Sequence, residues 1–246
     1  MCEDIDVLLL AAGFGTRLRP LTDSLPKPLV PLCKRPLIDW NLSLIARNGF
    51  RRVFINLHYL PELIEEYVGD GSRWGLEVIF VREDPILDTG GAIRNIAEQL
   101  RGDLLLTINS DAMFDVDLNL GQLIAGHRGS SLAPLATLLV RENETPEEFG
   151  VLRLNGDGRI CSFLGVDYIS GALAEDYLYT GVQLLSLDLL SDMPEKGAIF
   201  SITRDTYRRV LERGGVLAGQ TYDGFWSDVG TVDRLHAAEA HLKSRH

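Results

Sequence analysis

The chain has 246 residues, of which 46% are hydrophobic and 24% are charged, a composition that excludes a disordered, collagen-like or coiled-coil chain and supplies a sizeable core. With 24 Lys and Arg against 35 Asp and Glu, the formal net charge is −11, so we expect no broad cationic face for nucleic acid or an anionic membrane. The three cysteines form no C-x-x-C pair, and no run approaches the ~20 apolar residues of a membrane span. We therefore expect a cytoplasmic protein.

The first 130 residues or so alternate between strand-like and helix-like segments. Ile5–Leu10 indicates a buried strand that leads into a glycine turn. Leu37–Arg47 has helical spacing and ends at Asn48-Gly49, a C-cap signal. The remaining predicted elements of this half are strands over Val53–Leu57, Leu76–Val81 and Leu104–Ile108 and helices over Glu62–Val68 and Gly91–Leu100. This alternation predicts βαβ crossovers and a mostly parallel sheet with helices on both faces.

The second half is richer in strands. The predicted strands are Leu132–Val140, Gly150–Leu154, Arg159–Phe163 and Tyr177–Leu185, and the predicted helices are Ser201–Arg213 and Thr231–Lys243. Residues 155–158, Asn-Gly-Asp-Gly, are a hairpin-turn signal. We predict one domain over residues 1–246 with halves of about 1–130 and 131–246, and an α/β fold class: a three-layer α/β/α Rossmann-like fold with a mixed sheet and a β-rich lobe.

The predicted parallel strands also predict where a ligand binds. Open α/β sheets bind ligands at the carboxyl ends of their strands, so the loops that start at Ala11, Asp84 and Asn109 are expected to meet. The segment after the first strand, Leu10-Ala11-Ala12-Gly13-Phe14-Gly15-Thr16-Arg17-Leu18, lacks the third glycine of a dinucleotide fingerprint because Leu18 stands there, and no P-loop pattern occurs in the chain. The turn can be purely structural, or its amides can approach phosphates with Thr16 and Arg17 as added donors.

Lys27 stands between Pro26 and Pro28. The prolines fix φ and bias the preceding residues to extended geometry, so the ammonium group is aimed at one place. Either segment alone is common. Together, L-A-A-G-F-G-T-R-L-R-P-L-T and P-K-P-L-V-P-L resemble the signature of the sugar-1-phosphate nucleotidyltransferases, and the resemblance covers nearly the whole chain.

The resemblance implies a role for each matching residue. It makes Arg17 and Lys27 catalytic, and Asp111 and Asp228 the ligands of Mg²⁺. The implied nucleotide-binding residues are Leu10, Ala11, Ala12, Gly13, Gly15, Thr16, Thr89, Gly90, Gly91 and Asn109, and the implied sugar-binding residues are Gly150, Thr180, Gly181 and Trp226. The first half is then the nucleotide-binding half and the second the sugar-binding half.

The implied reaction is the attack of a sugar 1-phosphate on the α-phosphorus of a nucleoside triphosphate, giving an NDP-sugar and pyrophosphate. The chain looks most like the short N-acetylmuramate 1-phosphate uridylyltransferases and the mannose- or heptose-1-phosphate guanylyltransferases, which implies UTP or GTP as substrate and leaves a homo-oligomer open. A phosphate monoester with a second pKa near ~6 needs no general base at neutral pH. Two polyanions must instead be held by cations, and Mg²⁺ typically takes one or two protein carboxylates plus substrate phosphates.

One segment departs from the family pattern. Many relatives carry a lysine that grips the sugar phosphate after the strand equivalent to Arg159–Phe163, whereas Leu164-Gly165-Val166-Asp167 follows here. Arg153 or Arg204 is a candidate substitute.

Plainer interpretations also exist. Asp111 can be a helix cap or turn residue, and Asp228 can cap the helix that begins near Thr231. The histidines show no metal-ligand spacing, which favours surface or core roles. The alternative functions are a non-catalytic nucleotide or sugar-phosphate sensor on the same fold and a Rossmann oxidoreductase, which would bind NAD(P).

Overall fold

A computed structural model describes residues 2, 4–169 and 175–244 of the chain. Its strands in chain order are β1 Asp6–Leu10, β2 Pro31–Leu32, β3 Arg35–Pro36, β4 Arg52–Leu57, β5 Glu77–Arg82, β6 Leu104–Asn109, β7 Ala112–Phe114, β8 Ala136–Glu142, β9 Val151–Leu154, β10 Ile160–Phe163, β11 Val166–Asp167, β12 Glu175–Ser186, β13 Leu217–Thr221 and β14 Trp226–Asp228. Its α-helices are α1 Leu37–Arg47, α2 Pro61–Val68, α3 Asp88–Ile96, α4 Leu120–Gly129, α5 Arg208–Glu212 and α6 Val232–Ser244. Within the described ranges, no helix is long and apolar enough to cross a membrane.

The chain forms two compact units built from interleaved segments. The first unit comprises Met1–Ile86, Ile108–Leu118 and Gly224–His246, and the second comprises Leu87–Thr107 and Asn119–Asp223. The predicted boundary near residue 130 falls inside the second unit. Contiguous halves of the sequence therefore do not coincide with the compact units.

The parallel strands of the first unit follow the predicted alternation. β1 pairs in parallel with β4, and β4 pairs in parallel with β5, in a register that aligns Leu10 with Asn56 and Asn56 with Val81. Helix α1 has the predicted bounds and buries Ile38, Leu42 and Ile45 completely because its apolar residues repeat at helical spacing. The carboxyl ends of these parallel strands provide the edge on which the candidate site is built.

A two-stranded ribbon returns the end of the chain to the first unit. β14 pairs antiparallel with β7, with Asp228 opposite Ala112. Helix α6 buries one apolar face, and its buried residues join those of earlier segments in a single cluster made of Leu18, Val30, Leu32, Leu37, Met113, Val229, Leu235, Ala238 and Leu242. Burial of this face fixes α6 and, through it, the segment that carries Asp228.

The second unit is dominated by antiparallel strands. β12 pairs antiparallel with both β8 and β9, β9 pairs antiparallel with β10, and β13 runs parallel to β8. The β9–β10 connection is the predicted hairpin, in which the Asn155 side chain accepts hydrogen bonds from the backbone N–H groups of Asp157 and Arg159. Parallel and antiparallel strands with α-helices confirm the predicted mixed α/β class.

Several element predictions were wrong in detail. Helix α4 was missed because Gly121, Gly126 and Gly129 dilute its helical signal, although Asn119 caps it by accepting a hydrogen bond from Gly121 N. The strand predicted over Leu132–Val140 starts only at Ala136, since Ala133 has a φ of 44° and Pro134 has no N–H to donate.

Two predicted helices differ from the observed ones. The one predicted over Gly91–Leu100 begins at Asp88 and tightens into a 3₁₀ turn over Ala97–Gln99. The one predicted over Ser201–Arg213 consists of a π-helical turn, Ile202–Tyr207, followed by α5. The first difference lies at the ends of the helix, where assignments vary most, whereas the second extends over six residues.

Candidate active site

The glycine loop after β1 contains two glycines with different surroundings. Gly15 has a φ of 65°, and a Cβ there would lie 2.9 Å from Lys27 Cβ and 3.1 Å from Thr22 Cγ2. Thr22 Oγ1 also donates to the Gly15 carbonyl at 2.8 Å. A Cβ on Gly13 would meet no atom within 4 Å. Gly15 is therefore required by the packing of the loop, whereas Gly13 leaves open space beside the backbone.

Lys27 is held as the flanking prolines predict. It begins a 3₁₀ turn, Lys27–Leu29, after extended Pro26, and its side chain is 11% exposed. Its Nζ donates to Asp111 Oδ2 at 2.6 Å. The lysine is thus a fixed charge that neutralises one of the two aspartates expected to bind a metal.

Asp111 lies between β6 and β7, and its carbonyl oxygen accepts a hydrogen bond from Val229 N at 2.9 Å. This bond and the β7–β14 pairing bring together two aspartates that are 117 positions apart in the sequence. Asp111 is not a helix cap. Thr231 Oγ1 accepts from Arg234 N at the start of α6, so Thr231 rather than Asp228 takes the capping role.

Asp228 is surrounded by opposing electrostatic influences. Burial raises the pKa of this carboxyl, Arg234 lowers it, and the nearby charge of Asp111 raises it further. Arg234 donates to Asp228 Oδ1, and Arg17 lies 3.8 Å from Oδ2. Gly230 leaves room for Arg17, because a Cβ there would lie 2.9 Å from its guanidinium. Sequence reasoning missed Arg234, which carries no motif of its own and meets Asp228 only through the β14–α6 connection.

Two aspartates and three cations therefore occupy one part of the first unit. In the described part of the chain, no group of three or more His, Cys, Asp and Glu side chains could hold a metal ion. Two carboxylates fit Mg²⁺ all the same, because this ion takes hard oxygen ligands and completes its shell with phosphates and water. Asp111 and Asp228, with side chains 25% and 17% exposed, are the residues that would hold it.

The other predicted residues of the first unit have different environments. Leu10 is the last residue of β1 and Ala11 follows it, and Ala11 N donates to the Asn56 side chain at 2.8 Å. Ala12 is buried, Thr16 starts a 3₁₀ turn, and Asn109 ends β6 half-buried. Trp226 is a half-buried residue of β14 opposite Phe114.

The predicted nucleobase-side residues of the second unit are fastened to the segment before the π-helical turn. The backbone N–H groups of Gly90 and Gly91 both donate to the Phe200 carbonyl, and Thr89 Oγ1 accepts from Ile202 N. A Cβ on Gly90 would lie 2.3 Å from the Phe200 ring. Close packing against residues 198–202 therefore requires these glycines, and contact with a nucleotide stays a prediction.

The predicted sugar-binding residues lie among the antiparallel strands. Thr180 is buried and its hydroxyl donates to the Leu139 carbonyl at 2.8 Å, while Gly181 has a φ of 87° in the irregular part of β12. Gly150 borders a cavity of about 170 Å³. The cavity is mainly apolar, with Tyr179 and Thr203 as polar members, and its lining is Phe149, Gly150, Val151, Leu152, Phe163, Leu164, Tyr179 and Thr203.

The two arginines considered as substitutes for the missing lysine are both paired with carboxylates of the second unit. Arg153 Nε donates to Asp176 at 2.7 Å, which raises the pKa of this exposed guanidinium. Arg204 donates to Asp88 at 2.8 Å. Neither guanidinium is among the residues that line the 170 Å³ cavity.

Three of the described histidines, His58, His127 and His241, have structural partners, and His236 is exposed on α6. His127 is buried against Thr137, His58 lies 2.9 Å from the Glu83 carbonyl, and His241 lies 3.0 Å from Asp115 while stacking on Phe225. His246 lies outside the described residues. These contacts agree with the surface and core roles expected of them.

Known proteins are similar to this chain in both sequence and fold. Mannose-1-phosphate guanylyltransferase of Mycobacterium tuberculosis is 33% identical over 241 residues, which cover 98% of this chain and 65% of that protein. N-acetylmuramate alpha-1-phosphate uridylyltransferase of Neisseria meningitidis serogroup B is 30% identical over 242 residues, covering 95% of this chain and 96% of that protein. The crystal structure of HddC from Yersinia pseudotuberculosis complexed with GMP-PN shares the fold, with a TM-score of 0.77, 24% identity and coverage of 97% of this chain and 99% of that one.

The family comparison decides between the classes considered from sequence. Residues 6–245 match the family described as nucleotidyl transferase, which leaves no place for the oxidoreductase alternative. The chain belongs to the nucleotidyl transferase family, a family of enzymes.

Proposed function

We propose that this chain transfers a nucleotidyl group from a nucleoside triphosphate to a sugar 1-phosphate and releases pyrophosphate. The observation that carries the proposal is the charge arrangement of the first unit, where Lys27 pairs with Asp111 and Asp228 lies between Arg17 and Arg234. Fixed cations beside a glycine loop are what the approach of two polyanions demands.

The reaction needs no protein base. A sugar phosphate oxygen forms a bond to the α-phosphorus, the bond from that phosphorus to the bridging oxygen breaks, and pyrophosphate leaves with the electron pair. The attacking group is mostly a dianion at neutral pH because its second pKa is near ~6. The structural contacts of His58, His127 and His241 are compatible with a reaction that uses no catalytic imidazole.

Each charged residue has a task in this proposal. Lys27 and Arg17 stabilise the negative charge that develops on the α-phosphate and the departing pyrophosphate. Asp111 and Asp228 would hold Mg²⁺, which when bound neutralises phosphate charge and orients the triphosphate. The glycine loop, from Leu10 to Thr16, would bring backbone amides close to the phosphates.

The nucleobase and sugar have two candidate sets. UTP with an amino-sugar or related sugar 1-phosphate is supported by the similarity to the Neisseria relative, and GTP with mannose or heptose 1-phosphate by the similarity to the Mycobacterium relative. We place the sugar in the second unit, at the cavity beside Gly150.

A matrix of four nucleoside triphosphates against a panel of sugar 1-phosphates, read by pyrophosphate release, tests the proposal. Turnover with UTP or GTP and at least one sugar 1-phosphate is expected, and none should occur when Mg²⁺ is chelated. If no pair turns over while a nucleotide still binds in a calorimetric titration, the sensor alternative replaces the enzyme.

A further inference from the structure

A buried hydrogen-bonded chain links the ends of three parallel strands in the first unit. Ala11 N donates to Asn56 Oδ1 at 2.8 Å, and Asn56 Nδ2 donates to Glu83 Oε1 at 2.9 Å. Ala11, Asn56 and Glu83 are 2%, 4% and 4% exposed. They follow or end β1, β4 and β5, whose parallel register aligns Leu10, Asn56 and Val81. This row of hydrogen bonds therefore crosses the ends of the strands at the point where the glycine loop begins.

The donors and acceptors of this hydrogen-bonded chain run in one direction. A backbone N–H can only donate, so Asn56 must turn its carbonyl oxygen toward Ala11 and its amino group toward Glu83. An ionised carboxylate can only accept, which favours the same orientation. Ala11 and Glu83 thus favour the same orientation of the Asn56 amide, and the buried setting makes a mismatch costly.

A second set of contacts, through His58 and the Glu83 carbonyl, holds the glycine loop at Phe14. His58, two positions after Asn56, lies 2.9 Å from the Glu83 carbonyl through Nδ1, and the Phe14 ring packs edge-on against the His58 ring at 5.2 Å between centroids. Gly13 lies between these contacts, and a Cβ there would meet no atom within 4 Å. The free stretch of the loop is therefore short and held at both sides.

We propose that Asn56 and Glu83 are positioning residues for the nucleotide: they set the Ala11 peptide and thereby aim the amides of the glycine loop. This inference rests on the proposed function, because it assumes that the loop binds a triphosphate. Neither residue touches the reacting atoms in this scheme. Their loss changes nucleotide affinity and leaves the charged groups around Asp111 and Asp228 in place.

Reversing the polarity of the pair tests the inference. Asn56→Asp places two carboxylates against each other, and the nucleotide KM is expected to rise ~10- to 100-fold, as for a lost buried hydrogen bond to a charged group. Glu83→Gln can still accept from Asn56 and should change KM less than ~3-fold. In the double variant the new glutamine amide donates to the new aspartate, which again accepts from Ala11, so KM should return to within ~5-fold of the wild-type value.

The kinetic pattern separates positioning from simple structural damage. A partly unfolded Asn56→Asp sample would lose apparent kcat while its folded fraction kept the wild-type nucleotide KM, whereas mispositioning raises that KM and leaves the sugar phosphate KM unchanged. Asn155→Asp is the matched control, because it makes the same chemical change in the exposed hairpin turn of the second unit.

Hydrogen exchange at the Ala11 amide, measured by NMR on the free protein, gives a readout that needs no turnover. Exchange should be slow in the wild type, at least ~10-fold faster in Asn56→Asp, and slow again in the double variant. An unchanged Ala11 exchange rate or nucleotide KM in Asn56→Asp, or a double variant no better than that single one, overturns the inference. Absence of wild-type turnover with every substrate pair overturns the proposed function instead, while the exchange data still decide on the positioning pair.

Discussion

The candidate functional parts of the two units differ in how they use charge. In the first unit Lys27 is nearly buried and bonded to Asp111, and Asp228 has two arginine partners. In the second unit the cavity beside Gly150 is mainly apolar, and Arg153 and Arg204 are exposed and paired outside its lining. The charges suited to phosphate chemistry therefore lie in the first unit, and we expect the apolar cavity of the second unit to bind the sugar by its shape. Changes in the first unit should therefore act on kcat or nucleotide binding, and changes in the second on sugar binding.

The largest expected effect is the loss of the Lys27 charge. Lys27→Met keeps the length of a buried side chain and removes the ammonium group, so kcat should fall by ~10²- to 10³-fold, as for other preorganised groups at a developing oxyanion. Steady-state kinetics with saturating substrates measure this. Lys243→Met removes a lysine from an exposed pair with Glu239 and should leave kcat unchanged. A near-normal kcat in Lys27→Met would refute the assignment.

Substitution of either aspartate should cause the same loss of kcat. If Asp111 and Asp228 act through one ion, Asp111→Asn and Asp228→Asn each reduce kcat at least ~100-fold, and the double variant is little worse than either. A Mg²⁺ titration of all three variants measures the coupling. Independent, multiplicative losses would show that the residues do not share a metal. Each substitution also leaves a cation without its carboxylate, so we expect no gain in stability from relieved repulsion.

Substitutions of the two loop glycines should affect different properties, nucleotide binding at Gly13 and stability at Gly15. A Cβ at position 13 would meet no atom within 4 Å, so Gly13→Val is expected to raise the nucleotide KM by ~10-fold or more with an unchanged melting temperature. Gly15→Val forces a branched side chain into a φ of 65° against Lys27 and should cost ~1–3 kcal/mol of stability. Thermal melts and nucleotide kinetics on both variants distinguish them, and equal destabilisation would contradict the distinction.

A smaller change is expected in the second unit. Gly150→Ala places a methyl group 2.9 Å from Leu164 Cδ2, the flexible end of that side chain, so the cavity narrows while the strands stay paired. The KM for the sugar phosphate should rise by ~3- to 10-fold with the nucleotide KM unchanged. Gly156→Ala, which meets nothing within 4 Å, is the control. A selective effect on the nucleotide KM would place the sugar elsewhere.

The smallest effect concerns pH and stability. Burial lowers the pKa of His127, whose Nδ1 lies 2.8 Å from Thr137 Oγ1. Protons therefore favour the unfolded chain below its ordinary pKa of ~6.5, so this contribution is full above that pH and shrinks as the pH falls toward the lowered value. When the pH is lowered from above ~6.5 to below it, the melting temperature should drop more for the wild type than for His127→Gln. Equal drops would show that His127 makes no such contribution.

The sequence predicted what local chemistry determines. Leu37–Arg47 is a helix with the expected bounds because its periodicity and its Asn48-Gly49 end agree, and Lys27 is fixed because its prolines leave little freedom. Arg234, Asn56 and Glu83 were missed because a single polar residue carries no pattern until strand pairing supplies its partner. The interleaved units were missed for the same reason, since long-range contacts and not composition define them.

Transfer of label from an α-³²P nucleoside triphosphate tests the central claim most directly. With a sugar 1-phosphate and Mg²⁺, the label should appear in an NDP-sugar in step with pyrophosphate, and the Lys27→Met variant should form both far more slowly. Label that stays in the triphosphate, or that appears in a free nucleoside mono- or diphosphate in place of an NDP-sugar, would contradict nucleotidyl transfer to a sugar 1-phosphate.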